Sequence, residues 1–138
     1  MKRRDLLIGA GLALATASKA LAEKIKPVAP AAIPGGLAVA ASNCSRIGQA
    51  CLRHCLAMLA TGNGSMGGCA KAVSDLIPAV DALAAIAAGG SRHVGALAKL
   101  VGEIAADCKA ECDKHPMMGP CKACADSCAA LIGEIARG

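Results

Sequence analysis

The sequence contains no Phe, Tyr or Trp among its 138 residues. A core built around large rings is excluded, and so is recognition of single-stranded nucleic acid by stacking, because such modules place bases on aromatic faces. The formal net charge of +5 does not restore a nucleic-acid role. No segment is apolar over the roughly 20 residues that a helix needs to cross about 30 Å of hydrocarbon. There is no Glu-x-x-His, which removes the di-iron carboxylate type of helical bundle. No set of nucleophile, base and oxyanion donors is legible either, so the chain does not read as an enzyme. What is abundant is Ala (33), Gly (16) and Cys (9). Small residues let helices approach closely, whereas strands favour β-branched and aromatic side chains. Nine thiols in one small domain are the feature that calls for an explanation.

The first residues read as an address. Lys2, Arg3 and Arg4 precede an apolar run of 12 residues, Leu6 to Ala17, and Ala20-Leu21-Ala22 supplies the small residues of a cleavage site. The adjacent arginines and the late Lys19 resemble a twin-arginine signal. Residues 1–22 are therefore expected to be a signal peptide for export to the bacterial periplasm, leaving no membrane-bound segment after cleavage. Its removal takes away 4 basic residues and 1 acidic residue. The apparent basicity belongs mostly to the signal. Residues 23–41, with Pro27, Pro30, Pro34 and Gly35-Gly36, read as a tether.

From residue 42 to 138 the pattern predicts an all-α, antiparallel up-down-up-down four-helix bundle with a Cys-lined core. Ser42-Asn43 are plausible caps for helix 1. Cys44, Ile47, Cys51, Cys55 and Met58 then follow one face at steps of three, four and seven. Thr61 to Ser65 ends that helix. Helix 2 carries Cys69, Val73, Leu76, Val80, Leu83 and Ala87, with Pro78 expected to kink it or open one hydrogen bond. Gly89-Gly90 stops it, and Ser91 caps helix 3, whose stripe is Val94, Leu97, Val101, Ile104, Cys108 and Cys112. After the turn His115-Pro116-Met117-Met118-Gly119, Pro120 opens helix 4, with Cys121, Cys124, Cys128, Leu131, Ile132 and Ile135 inward. Each helix is expected to run roughly 17 to 24 residues, on the order of 25 to 35 Å.

Antiparallel topology gathers Cys55, Cys69, Cys108, Cys112, Cys121 and Cys124 at one pole, and Cys51, Cys128 and Cys44 continue inward to about 16 Å below Cys55 at ~1.5 Å per residue. Leu83, Ile86, Leu97, Ile132 and Ile135 fill the other pole. Cys is often just a small hydrophobe, but that does not explain nine of nine on the core stripe. A disulfide framework suits an exported chain, yet nine is odd, and i,i+4 pairs on one helix strain the disulfide torsion. A disulfide-stabilised or redox-active thiol bundle without a physiological metal stays open as the second reading. Metal binding is the first. A four-thiolate zinc site keeps a charge of minus two, and several such sites in an apolar core would be costly. Monovalent copper is soft and pairs one positive charge with each thiolate, so charge balance favours multiple Cu(I) ions. Met58, Met66, His115, Met117 and Met118, together with His54, lie at or near the thiol-lined pole and read as a mouth. His93 looks like an ordinary surface residue.

These residues resemble the four-helix-bundle copper storage proteins, small exported Cys-rich bundles. The resemblance rests on Gln49-Ala50-Cys51-Leu52-Arg53-His54-Cys55-Leu56, the Gly-Asn turn before Cys69, Cys108-x3-Cys112 with Lys114-His115, and Cys121-x2-Cys124-x3-Cys128. It spans about Ser42 to Ala136. It implies a store that fills its core with Cu(I), most ions held by two thiolates, with Met and His lining the mouth, and assembly as a tetramer. The donor and acceptor of copper are not implied. Helices 2, 3 and 4 have apolar stretches where richer members carry further cysteines, which bears on capacity.

Overall fold

The computed structural model describes residues 35–138, so the expected signal peptide and most of the expected tether lie outside the described residues. Four helices follow in order: α1 (Gly35–Ala60), α2 (Gly67–Ala88), α3 (Val94–Cys112) and α4 (Gly119–Arg137), with a single 3-10 turn at Gly64–Met66 between α1 and α2. Each helix packs on its two neighbours in a closed ring, α1 on α2 and α4, α3 on α2 and α4. That is the expected four-helix bundle. Among the described residues no helix is long and apolar enough to cross a membrane.

The start of α1 corrects the sequence reading. Helix begins at Gly35, so residues 35–41 belong to the bundle and not to a tether, and Ser42 and Asn43 are inside α1. At 26 residues α1 also exceeds the expected length. The physical reason is that Ala38 and Ala41 extend the Cys44 stripe backward at steps of three and are buried. Alanine is small enough to be overlooked as a core residue, yet it is the best helix former. Asn43 does not cap; its side-chain oxygen accepts from Arg46 one turn on, at 2.9 Å.

The turns behave as their residues require. At the end of α1, Gly62 takes φ +93°, and the Asn63 N–H reaches back to the Met58 carbonyl at 3.1 Å. Asn63 Oδ1 then accepts from the Ser65 backbone and hydroxyl, and Met66 drops into the core fully buried. The end of α2 repeats the device: Gly90 has φ +64°, and Ser91 N–H bonds Ile86 carbonyl at 3.1 Å. Only glycine adopts these conformations without a Cβ penalty. Ser91 Oγ accepts from the His93 N–H, one step before α3 is entered. Helix α2 runs through Pro78, which is exposed. The carbonyl of Ser74, which loses its partner to Pro78, is on an exposed residue and can take water instead.

Burial divides the bundle lengthwise. Val73, Leu76, Val80, Leu83, Val101 and Leu131 are fully buried and make the apolar half. Leu97, Ile132 and Ile135 pack around them only partly buried, whereas Ile86, expected with them, is partly buried at the end of α2 and is not part of that packing. The other half of the core is sulfur.

Candidate metal centre

All nine cysteines are fully buried and all nine are free thiols. The closest pair, Cys69 and Cys112, has sulfurs 3.5 Å apart, far beyond the roughly 2.05 Å of a disulfide. The periodicity explains the burial. Cysteines recur at three or four residues on α1, α3 and α4, so each helix turns its sulfurs to the same side.

The sulfurs form one continuous path. At the outer end Cys51, Cys55, Cys69 and Cys121 all lie within 4.8 Å of one another. Within that quartet Cys51 is 4.0 Å from Cys55, 3.8 Å from Cys69 and 4.0 Å from Cys121, and Cys69 is 3.9 Å from Cys121. A second group, Cys51, Cys112 and Cys124, shares Cys51 with the quartet; a third, Cys108, Cys124 and Cys128, shares Cys124 with the second. Cys44, 3.9 Å from Cys128, closes the inner end. The structure thus places Cys51 in the outermost group and puts Cys108 beside the deeper Cys128, where the sequence reading had Cys51 inward and Cys108 at the pole. The reason is register: Cys51 of α1 lies against Cys121 and Cys124 of α4, whereas Cys108 of α3 lies against Cys124 and Cys128.

Hydrogen bonding between thiols spreads their acidities apart. Cys124 is held far below the usual thiol range, first by Cys108 and then by Cys112, Cys128 and Cys51 donating to it. Cys128 and Cys112 are pushed up, each chiefly because its proton is shared with Cys108 and then Cys124. Burial raises Cys69. It also pushes Cys121 up to about 12, with the charges of Cys69 and Cys55 adding to it. At the inner end, Cys44 is lowered by a hydrogen bond from Cys128, against the opposing effect of burial. Ser127, itself buried, donates to the Cys124 carbonyl at 2.8 Å with its oxygen 3.6 Å from Cys44 sulfur. Most of these thiols keep their protons at neutral pH, so a metal ion entering the path must displace them.

The non-cysteine candidates are distributed unevenly. Met66 is fully buried, while Met58 and Met118 pack partly buried against the core. His115 is half-buried in the α3–α4 turn, its N–H bonded to the Cys112 carbonyl at 3.0 Å. Met117 is 93% exposed and is not brought into the sulfur path. His54 has more to recommend it than its sequence context suggested. Its Nε2 is buried with no hydrogen-bond partner, and leaving such a group unsatisfied costs about 1 to 3 kcal/mol. Its signal in the sequence was its place between Cys51 and Cys55, one residue off the core stripe. His93 is exposed, as a surface residue should be.

A path of soft, closely spaced donors is suited to hold soft metal ions. The family model for copper storage protein matches residues 36–136. No curated protein matches the chain. The match covers the whole bundle that carries the nine thiols, and the chain belongs to the copper storage protein family.

Proposed function

We propose that the chain stores copper as Cu(I), held by the thiolates of Cys44, Cys51, Cys55, Cys69, Cys108, Cys112, Cys121, Cys124 and Cys128, and performs no catalysis. The observation that carries this reading is the unbroken path of sulfurs. With a metal–sulfur bond of ~2.3 Å, an ion in linear two-coordination separates its sulfurs by about 4.6 Å, and a trigonal one by about 4.0 Å. Neighbours at 3.5 to 4.0 Å therefore need to move by less than about an ångström to accept ions, and most sulfurs have two or more neighbours to bridge. Nearly one Cu(I) per thiolate leaves the filled core close to neutral, which an apolar bundle tolerates. Saturation is expected at roughly eight to ten ions, against about four if each ion took a private pair.

Copper enters at the pole where α1 ends and α2 begins, beside the α3–α4 turn. Met58, Met66, His54, His115 and Met118 supply thioether and imidazole donors there, and the apolar half closes the other end. Met117 reaches outward, suited to a passing ligand exchange and not to storage. The signal-like residues 1–22 support export to the periplasm, and assembly into a homo-oligomer follows only from the family. Anaerobic titration of the reduced chain with Cu(I) against a competing chelator tests the reading. Uptake of eight or more tightly held ions is expected; uptake of two or fewer, or thiols that resist copper and instead pair as disulfides on isolation, would overturn it.

A further inference from the structure

We propose that Cys51, Cys55, Cys69 and Cys121 also form a four-coordinate site for one thiophilic divalent cation of the Zn(II) or Cd(II) kind. This ion occupies the outer end of the sulfur path when copper is absent and leaves when Cu(I) arrives. The inference stands on the geometry of the quartet and does not depend on the copper stoichiometry proposed above.

All six distances within the quartet are at most 4.8 Å, and four of them are 3.8 to 4.0 Å. Four points so constrained cannot lie in a plane, since a square with such edges has diagonals of about 5.5 Å. A regular tetrahedron around an ion with ~2.3 Å bonds to sulfur has edges of about 3.8 Å. The quartet is therefore close to a tetrahedral thiolate cage before any ion enters. The other two groups among the described residues offer three sulfurs each and cannot close a tetrahedron without borrowing. Geometry separates one divalent site from the rest of the path.

The charge argument that disfavours several zinc sites allows one here. Four thiolates around a divalent ion carry minus two, and two of the four are in first helical turns: Cys69 is the third residue of α2 and Cys121 the third of α4. Each helix start contributes roughly half a positive charge. The capping residues, Met66 and Met118, make no side-chain hydrogen bond to these helix starts, and neither first turn contains an acidic residue. One outside carboxylate approaches, that of Glu111 beside Gly68, and it is engaged by Lys114 at 2.7 Å. The quartet is thus the place along the path where two helix starts meet sulfur, with one nearby carboxylate that is shared with Lys114. Loading releases the protons of the four thiols; displacement by Cu(I) moves no electron, the divalent ion leaving hydrated while the thiolates pass to copper.

The reduced, copper-free chain is titrated anaerobically with Cd(II). Because aromatic residues are absent, cadmium–thiolate absorbance can be read against little protein background. One ion per chain is expected, with a single 113Cd resonance in the all-thiolate region, and added Cu(I) should release one Cd(II) per chain to a metal indicator. Cys69→Ser and Cys121→Ser should weaken Cd(II) binding at least a hundredfold, whereas Cys44→Ser, outside the quartet, should leave it unchanged. Failure of the wild-type chain to bind one Cd(II) tightly, a resonance with nitrogen or oxygen character, or equal losses in the Cys44 variant would overturn the site. If a quartet variant does not fold, the wild-type resonance and the copper displacement still decide. A chain that refuses Cd(II) but fills with Cu(I) in the same preparation refutes this site and leaves copper storage intact.

Discussion

Replacing Cys124 by Ala removes the sulfur that joins the two inner groups. Cys124 is within reach of Cys51 and Cys112 on one side and of Cys108 and Cys128 on the other, with Cys108 at 4.0 Å. Without it, the Cys108–Cys112 contact along α3 is left to link an outer set of Cys51, Cys55, Cys69, Cys112 and Cys121 to an inner set of Cys44, Cys108 and Cys128. A private ligand would take about one ion with it. A shared bridge takes both ions it helps to hold, so capacity should fall by about two from roughly nine. Cys44→Ala, at the inner end with Cys128 as its one close sulfur, should cost about one. Stability should change little in comparison, since deleting one buried thiol removes surface similar to a methylene and leaves a small cavity, on the order of 1 to 2 kcal/mol. The control lies seven residues on, where Leu131 is fully buried in the apolar half. Leu131→Ala should lose about 3 to 5 kcal/mol with capacity unchanged, and the milder Ile132→Val or Ile135→Val about 0.5 to 1.5 kcal/mol. Anaerobic Cu(I) titration followed by copper–thiolate absorbance measures capacity, and urea unfolding of the copper-free chain measures stability. Equal capacities for Cys124→Ala and wild type would refute the bridged path. So would equal losses for Cys124→Ala and Cys44→Ala, because the distinction between a link and an end would then carry no weight.

Protein recovered from the periplasm should begin at Glu23 by intact mass; a product retaining Met1 would contradict the signal reading. Burial raises Cys69 and Cys121, and thiol–thiol hydrogen bonding raises Cys112 and Cys128, so these groups bind protons more tightly folded than unfolded. Their contribution to stability is complete below the unfolded thiol pKa of about 8.5 and is lost as pH rises above it. The copper-free chain should therefore melt at progressively lower temperature from about pH 8.5 upward, and the copper-loaded chain, whose thiols are already deprotonated, should not; parallel curves would refute the assignment. A Cβ on Gly68 would overlap Glu111 Oε2, so Gly68→Ala must swing that carboxylate away. The loss at the helix start, about 0.3 to 1 kcal/mol, is offset by the helix preference of Ala, about 1 kcal/mol, and a thermal shift larger than that of a 1.5 kcal/mol change would show a packing role instead.

The sequence determined the bundle and its sulfur lining. Spacings of three and four at Cys51, Cys55, Cys108, Cys112, Cys121, Cys124 and Cys128 leave only one face for each helix. Gly62 and Gly90 mark turns that demand positive φ, so the helix ends could be read as well. The start of α1 could not, because Gly35-Gly36 has the composition of a linker and becomes helical only when Ala38 and Ala41 find a neighbour to pack against. Nor could periodicity say which sulfurs touch. A stripe fixes direction around a helix, but the depth at which stripes from four helices meet is set by how those helices slide against one another. That register places Cys51 in a tetrahedral quartet and Cys124 at the junction of the path. The same packing encloses His54 Nε2 without a partner, a fact about surrounding atoms that no spacing along one chain can contain.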